Sequence, residues 1–305
     1  MALRFGVAGT GYWAETVHLS VLSAHPDATL AGVWGRSAEK VDALAKKFGA
    51  ASFRHFDNML DQVDAVSIAL PPHIQARLAL TAAEAGKHLL LEKPLAMTAD
   101  EARAIVSAVE RHRLTSMVFF LRRFVPEIER AIELAKGESW DSADVRVHST
   151  ALIGDGPYAR SLWRQADAGA LWDIGPHVLS VLIPVLGAVE AVGAATAIGK
   201  YVRFETHHPG GATGTVSLTL HADPGETANQ YVFRRAGREH ALPDPDFSRP
   251  AAFARAVTEF AAAARSGASA HRADVRFAAE VVDVLAAVAR SRETHALAQV
   301  QGSST

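Results

Sequence analysis

Gly9, Gly11 and Ala14 stand at fixed spacing in Gly9-Thr10-Gly11-Tyr12-Trp13-Ala14. The loop follows an apolar run and precedes a stretch of helical length, the context in which such residues hold a dinucleotide. Gly9 permits a tight turn, Gly11 lets the backbone approach a pyrophosphate, and Ala14 lets helix and strand pack closely. The helix start adds unpaired N–H groups and a positive dipole end for the phosphates. Elsewhere in a chain the same glycines would mark an ordinary turn.

At the end of the second apolar run an NAD-binding chain carries an acidic residue for the adenosine ribose. Here Val33-Trp34 runs into Gly35-Arg36-Ser37. Gly35 leaves out the carboxylate that would repel a 2′-phosphate. Arg36 offers a planar fork of donors, Ser37 a hydroxyl, and Lys40 a further charge one turn on. NADP is therefore expected in preference to NAD, with NAD possible. The alternative is that Ser37 caps a helix and Arg36 is a solvated charge.

Asp173 and His177 stand four residues apart, on one face of any helix that carries them. A carboxylate one turn from an imidazole can fix its tautomer and raise its basicity, as suits a general base near neutral pH. Taken alone, the pair also reads as a helix-surface ion pair. A metal site would need a third ligand in an otherwise apolar helix, and no metal is expected.

The elements that must position these residues fall into two patterns. Up to about residue 120, apolar runs at Leu3–Ala8, Ala28–Trp34, 65–70, His88–Leu91 and 116–120 alternate with helix candidates at 13–24, Ala38–Phe48, 73–85 and Ala99–Arg111. Such alternation implies right-handed crossovers and a parallel sheet covered on both faces. Beyond residue 140, Asp144-Val-Arg-Val-His-Ser and Thr215-Val-Ser-Leu-Thr-Leu-His alternate polar with apolar residues, the pattern of an antiparallel sheet with one covered face. A long apolar helix near 171–186 separates them, and two Ala-rich helices follow near 251–265 and 274–290. The expected fold class is α/β: an N-terminal parallel-sheet domain, residues 1–121, and a C-terminal α+β domain with a largely antiparallel open sheet, residues 122–305.

Composition agrees. At roughly 150 residues per domain, 305 residues suggest two domains. Hydrophobic residues at 49% and charged residues at 21% exclude a disordered or fibrous chain. Lys and Arg number 31 against 33 Asp and Glu, so no basic excess exists for nucleic acid. The absence of cysteine excludes disulfides, a thiolate nucleophile and sulfur-ligated zinc. The N-terminal stretch lacks the apolar core of a signal peptide. The most apolar stretch, 178–189, is short for a bilayer span and contains Pro184 and Gly187. A cytoplasmic protein without a membrane partner is expected.

A third segment, Ala85-Gly-Lys-His-Leu-Leu-Leu-Glu92-Lys93-Pro94-Leu-Ala, resembles a signature of the Gfo/Idh/MocA oxidoreductases. The resemblance extends over nearly the whole chain. It takes in the glycine loop, the Leu70-Pro71-Pro72 turn, Arg122-Arg123-Phe-Val-Pro, and Ala170-Leu-Trp-Asp173-Ile-Gly175-Pro-His177. It implies a Rossmann domain and an NAD(P)-dependent dehydrogenase or ketoreductase acting on a sugar, polyol or similar hydroxylated small molecule. Cofactor-binding positions implied together with the loop are Gly9, Thr10, Gly11, Tyr12, Trp13, Gly35, Arg36, Ser37, Leu70, Pro71, Glu92 and Lys93. The resemblance also implies catalytic roles for Lys93, Asp173 and His177, with the proton carrier open between Lys93 and His177. The bond before Pro94 is expected to be cis. Arg122, Arg123, Trp163 and Arg164 are weaker candidates for substrate contact.

Some positions depart from the family pattern: Gln75 stands where a histidine is usual, Ser180 where an aspartate is frequent, and Ala170 where a second glycine occurs. Relatives pair through the open face of the C-terminal sheet, so a homodimer or homotetramer is expected. Two other activities fit the same resemblance: a redox-neutral NAD(P)-using glycosidase-like enzyme, and a cofactor-sensing regulator. Retention of Lys93, Asp173 and His177 argues against the regulator.

Overall fold

In the computed structural model residues 2–302 are described; the side chain of Ala194 is not. The chain forms two compact units. The first comprises residues up to Phe124 together with Phe247–Ala279, and the second Val125–Asp246 with the residues from Glu280 onward. This differs from a single cut after residue 121, because a late segment returns to the first unit.

The first unit is built on six parallel strands: β1 (Leu3–Ala8), β2 (Ala28–Trp34), β3 (Ala51–Phe53), β4 (Ala65–Ile68), β5 (His88–Leu91) and β6 (Ser116–Val118), in the order β3-β2-β1-β4-β5-β6. β4 is buried at all four positions and β1 at its last four, as strands covered on both faces must be. The short edge strand β3 was not marked by the sequence pattern. It is three residues long and mostly exposed, so no apolar run announces it. Strand order reverses between β1 and β4, and ligands of open α/β sheets bind beyond the carboxyl ends at such a point.

Helices cross between these strands. After β1 the chain runs through a π-helical stretch, Ala14–Leu19, into α1 (Ser20–Leu22), where the Ser20 N–H reaches the Glu15 carbonyl five residues back. Next come α2 (Ala38–Phe48), α3 (Phe56–Leu60), α4 (Pro72–Glu84) and α5 (Ala99–Arg111). Thr98 caps α5: its Oγ1 accepts from the Glu101 N–H, while the Glu101 carboxylate accepts from the Met97 N–H, a reciprocal capping arrangement.

The second unit begins with α6 (Pro126–Lys136). It is organised by a seven-stranded mixed sheet of β7 (Ser142–His148), β8 (Ala191–Ile198), β9 (Tyr201–His207), β10 (Thr213–Thr219), β11 (Ala228–Arg235), β12 (Arg238–Ala241) and β13 (Ala298–Gln299), in the order β12-β11-β7-β10-β9-β8-β13. Every pairing is antiparallel except β7 with β10. Those are the two strands whose alternation pointed to an antiparallel sheet. They lie side by side and parallel because the chain between them is long enough for a crossover. After the short α7 (Leu162–Gln165), the apolar helix α8 (Gly169–Leu186) lies against β7, β9 and β10. Its length and composition would suit a bilayer span, yet 78% of it is buried inside the protein, the place of a core helix.

The returning segment is α9 (Arg249–Ser266), which rejoins the first unit through a buried stripe of Ala252, Phe253, Ala256, Val257, Phe260 and Ala261. Phe260 meets Phe5 of β1 with ring centroids 5.7 Å apart. Glu259, past the middle of α9, accepts from Arg255 (3.1 Å) and Arg272 (2.5 Å) and pairs with His271 (3.1 Å). Burial alone would raise its carboxyl; the bonds from His271, Arg272 and Arg255 outweigh that and hold it at about 2. The last helix, α10 (Val275–Thr294), starts in the first unit and continues in the second.

Candidate functional site

The glycine loop joins β1 to the first helix at the carboxyl edge of the parallel sheet. Gly9 has φ +143°, and a Cβ there would stand 2.6 Å from the Ala69 carbonyl oxygen and 3.2 Å from the Ala14 Cβ. Glycine is thus required by conformation and by close approach at once. Gly11 is different: nothing lies within 4 Å of where its Cβ would be. No protein atom demands glycine there, so the space it leaves fits a ligand approaching the backbone. The Glu15 N–H bonds the Gly11 carbonyl at 3.0 Å, so the helix begins at the loop itself. Tyr12 is exposed.

Gly35 packs against this loop. A Cβ on it would meet the Thr10 Cγ2 at 2.7 Å, so the missing side chain seats Thr10 as well as keeping a carboxylate away. Ser37 is the N-cap of α2, its Oγ accepting from the Lys40 N–H at 3.4 Å. The capping alternative therefore holds for Ser37, which keeps its own O–H to donate. Arg36 is exposed and makes no hydrogen bond or ion pair among the described residues.

Glu92, Lys93 and Pro94 follow β5 at the same sheet edge, and the Lys93–Pro94 peptide is cis. Gln75, fully buried on α4, holds this turn by its amide. Its Nε2 donates to the carbonyls of Glu92 (2.6 Å) and Pro94 (2.9 Å), and its Oε1 accepts from the Glu92 N–H (2.9 Å). Leu70 and Pro71 lie in the β4–α4 turn, with Pro71 as the N-cap of α4. The Glu92 carboxylate is turned inward, and its Oε1 accepts from the indole Nε1 of Trp13 at 2.6 Å. The buried His18 contacts the same oxygen through Nε2 at 3.1 Å, and its Nδ1 lies 2.8 Å from the Ser67 Oγ. Trp13 and Glu92, both expected at the cofactor, are thus bonded to each other.

Gln75, His18 and Ser67 were not foreseen as a group. The sequence does hold a signal: Ser67 is the one polar residue of β4, and Gln75 replaces a histidine usual in the resemblance.

Asp173 and His177 lie one turn apart on α8, the first buried and the second half-buried. The Ser180 hydroxyl donates to the His177 backbone carbonyl at 2.8 Å. Arg164 Nε donates to Asp173 Oδ2 at 3.0 Å, while its guanidinium lies 4.3 Å from the Trp163 ring centroid and 4.5 Å from that of Tyr158. Gly169 permits the approach, because a Cβ there would collide with the Arg164 carbonyl. Two residues expected near substrate, Trp163 and Arg164, are thus gathered around Asp173. Arg122 and Arg123 sit in a 3-10 turn, Leu121–Phe124, and both are buried; the Arg123 carbonyl accepts from Arg272 Nη2 at 2.9 Å. Among the described residues no group of three or more His, Cys, Asp or Glu could hold a metal ion.

Comparison with known proteins adds a separate line. Residues 3–120 match the oxidoreductase family with an NAD-binding Rossmann fold. D-xylose 1-dehydrogenase (NADP(+)) 2 of Haloferax volcanii is 30% identical over 274 residues, 84% of this chain and 83% of its own. A dTDP-3,4-didehydro-2,6-dideoxy-alpha-D-glucose 3-reductase of Streptomyces violaceoruber is 34% identical over 246 residues, 79% of this chain and 68% of its own. Levoglucosan dehydrogenase, solved in complex with NADH and levoglucosan, has the same fold: TM-score 0.84 at 20% identity, over 99% of this chain and 100% of that one.

Proposed function

The chain belongs to the Gfo/Idh/MocA family of NAD(P)-dependent oxidoreductases acting on CH–OH groups, and from that premise we propose that it oxidises or reduces a sugar, polyol or related hydroxylated small molecule, with NADP preferred over NAD. The observation that carries this reading is the joining of two functions at one sheet edge. The loop opened by Gly11 and the turn bearing Lys93 are linked by the 2.6 Å bond from Trp13 to Glu92. Gly9 to Trp13 would hold the pyrophosphate, with Leu70, Pro71 and Glu92 beside the rest of the cofactor.

When bound, the nicotinamide supplies or accepts the hydride. The residues of the chain handle the proton and the charge. His177 takes the hydroxyl proton in oxidation and returns it in reduction, with Asp173 one turn away on the same helix. The Lys93 ammonium donates to the reacting oxygen and stabilises negative charge developing on it. The preference for NADP rests on Arg36, whose exposed guanidinium has no other partner to give up, and on the Ser37 hydroxyl. Named substrates of relatives, D-xylose and levoglucosan, support a sugar-like substrate.

The sheet face opposite α8 exposes Arg203, Glu205, Thr215 and Gln230, and we assign it to contact between copies of the chain. Light scattering tests this, and a monomer mass excludes it.

The reaction is tested by incubating the protein with NADP(H), and NAD(H) in parallel, against sugars, polyols and glycosides. Nicotinamide absorbance and small-molecule masses are followed together. A net absorbance change with one substrate supports the dehydrogenase. A mass change without one points to redox-neutral chemistry and overturns it.

A further inference from the structure

We propose that His18 is a positioning residue for Lys93, holding the Glu92 carboxylate so that the turn after β5 presents the lysine in one direction. The inference rests on the assignment of Lys93 above and deepens it. His18 is fully buried, with its ring 4.3 Å from that of Phe253. An apolar side chain would fill such a place without the cost of desolvating two ring nitrogens. Both nitrogens are in use instead, one toward Ser67 Oγ at 2.8 Å and one toward Glu92 Oε1 at 3.1 Å.

Direction follows from donor and acceptor rules. A carboxylate only accepts, so the proton on Nε2 points at Glu92 whatever the charge of the ring. In the neutral ring the Ser67 hydroxyl then donates to Nδ1, and every polar atom of the chain Ser67–His18–Glu92–Trp13 along this path is matched. A buried pair of this kind adds little net stability compared with an apolar filling, and its best use is to select one geometry. The geometry selected is that of the residue next to Lys93. With the backbone on both sides of the lysine held by Gln75, and the Glu92 side chain held by His18 and Trp13, little freedom is left to the turn.

The test uses the whole protein and needs no substrate. Lys93 is acetylated with trace acetic anhydride, with and without saturating NADP+ or NAD+, and the modification is quantified by peptide mass spectrometry. Cofactor is expected to protect Lys93 about tenfold in the unmodified protein. His18→Gln keeps a donor toward Glu92 and should retain protection within about twofold, whereas His18→Asn, which withdraws from Glu92, should lose nearly all of it at equal cofactor occupancy. His18→Phe keeps ring volume against Phe253 while giving up both bonds, and should behave as Asn does even if Asn folds poorly. Full protection in the Asn or Phe variant, or its loss in the Gln variant, overturns the proposal. No protection in the unmodified protein removes the assignment of Lys93 itself; equal protection in all variants removes only the role of His18.

Discussion

Arg164 holds Asp173 by a single directed bond, Nε to Oδ2 at 3.0 Å, with its guanidinium between the rings of Tyr158 and Trp163. The pair is mostly shielded, with side-chain exposures of 18% and 12%. Removing one partner leaves a poorly solvated charge. Arg164→Gln should therefore lower unfolding free energy by about 2 kcal/mol, and Arg164→Lys, which keeps charge but loses the planar contacts, by about 1 kcal/mol. Denaturant midpoints check the order; two variants as stable as the parent contradict it.

The two glycines of the cofactor loop should respond oppositely to alanine. Gly9→Ala meets the Ala69 carbonyl at 2.6 Å with φ +143°, and should cost about 2 kcal/mol or more of stability. Gly11→Ala meets no protein atom and should leave stability within about 0.5 kcal/mol. Its cost should appear as weaker cofactor binding, about tenfold by calorimetry. Unaltered affinity in Gly11→Ala would place the pyrophosphate elsewhere.

Replacing Arg36 by Ala should weaken NADP+ by about tenfold and leave NAD+ within about twofold, since only the former carries the 2′-phosphate. Equal loss for both cofactors would refute a phosphate contact.

His177→Ala should cut turnover by about a hundredfold or more with cofactor affinity nearly intact. Unchanged turnover removes His177 from the mechanism.

Acid stability should depend on Glu259. Its folded-state carboxyl lies at about 2 against an ordinary 4.5, so its contribution is complete above about 4.5 and is lost as pH falls toward 2. Allowing for solvent screening, that contribution is on the order of 2 kcal/mol. The stability difference between the parent and Glu259→Gln should shrink through that range. A difference independent of pH would contradict the assignment.

Much of this was legible because local chemistry and local structure coincide. Gly9 and Gly11 sit where a strand turns into a helix, and the alternation of Thr215, Ser217 and Val216, Leu218 marks a one-sided strand whatever its partners. Contacts made at long range were not legible. The Arg164–Asp173 bond depends on a short helix folding back over Gly169, and the Trp13–Glu92 bond joins residues 79 apart. The parallel pairing of β7 with β10 and the return of α9 to the first unit are likewise set by what the chain does in between, which no periodicity encodes.

The π-helical stretch Ala14–Leu19 has a consequence for comparing this chain with others. Trp13 and His18 are five residues apart, a separation that an α-helix turns through about 140°, onto diverging sides. The wider winding brings both to one oxygen of Glu92. A π turn holds one more residue than the α turn it replaces. Excising a single residue there would restore α-winding with Trp13 and His18 four residues apart, about 40° around the helix, so both would still face the carboxylate. In an alignment, a one-residue gap between positions 14 and 17 would thus mark homologues that reach the same arrangement by α-winding, whereas an α-wound homologue of equal length turns the histidine at this position away from the carboxylate.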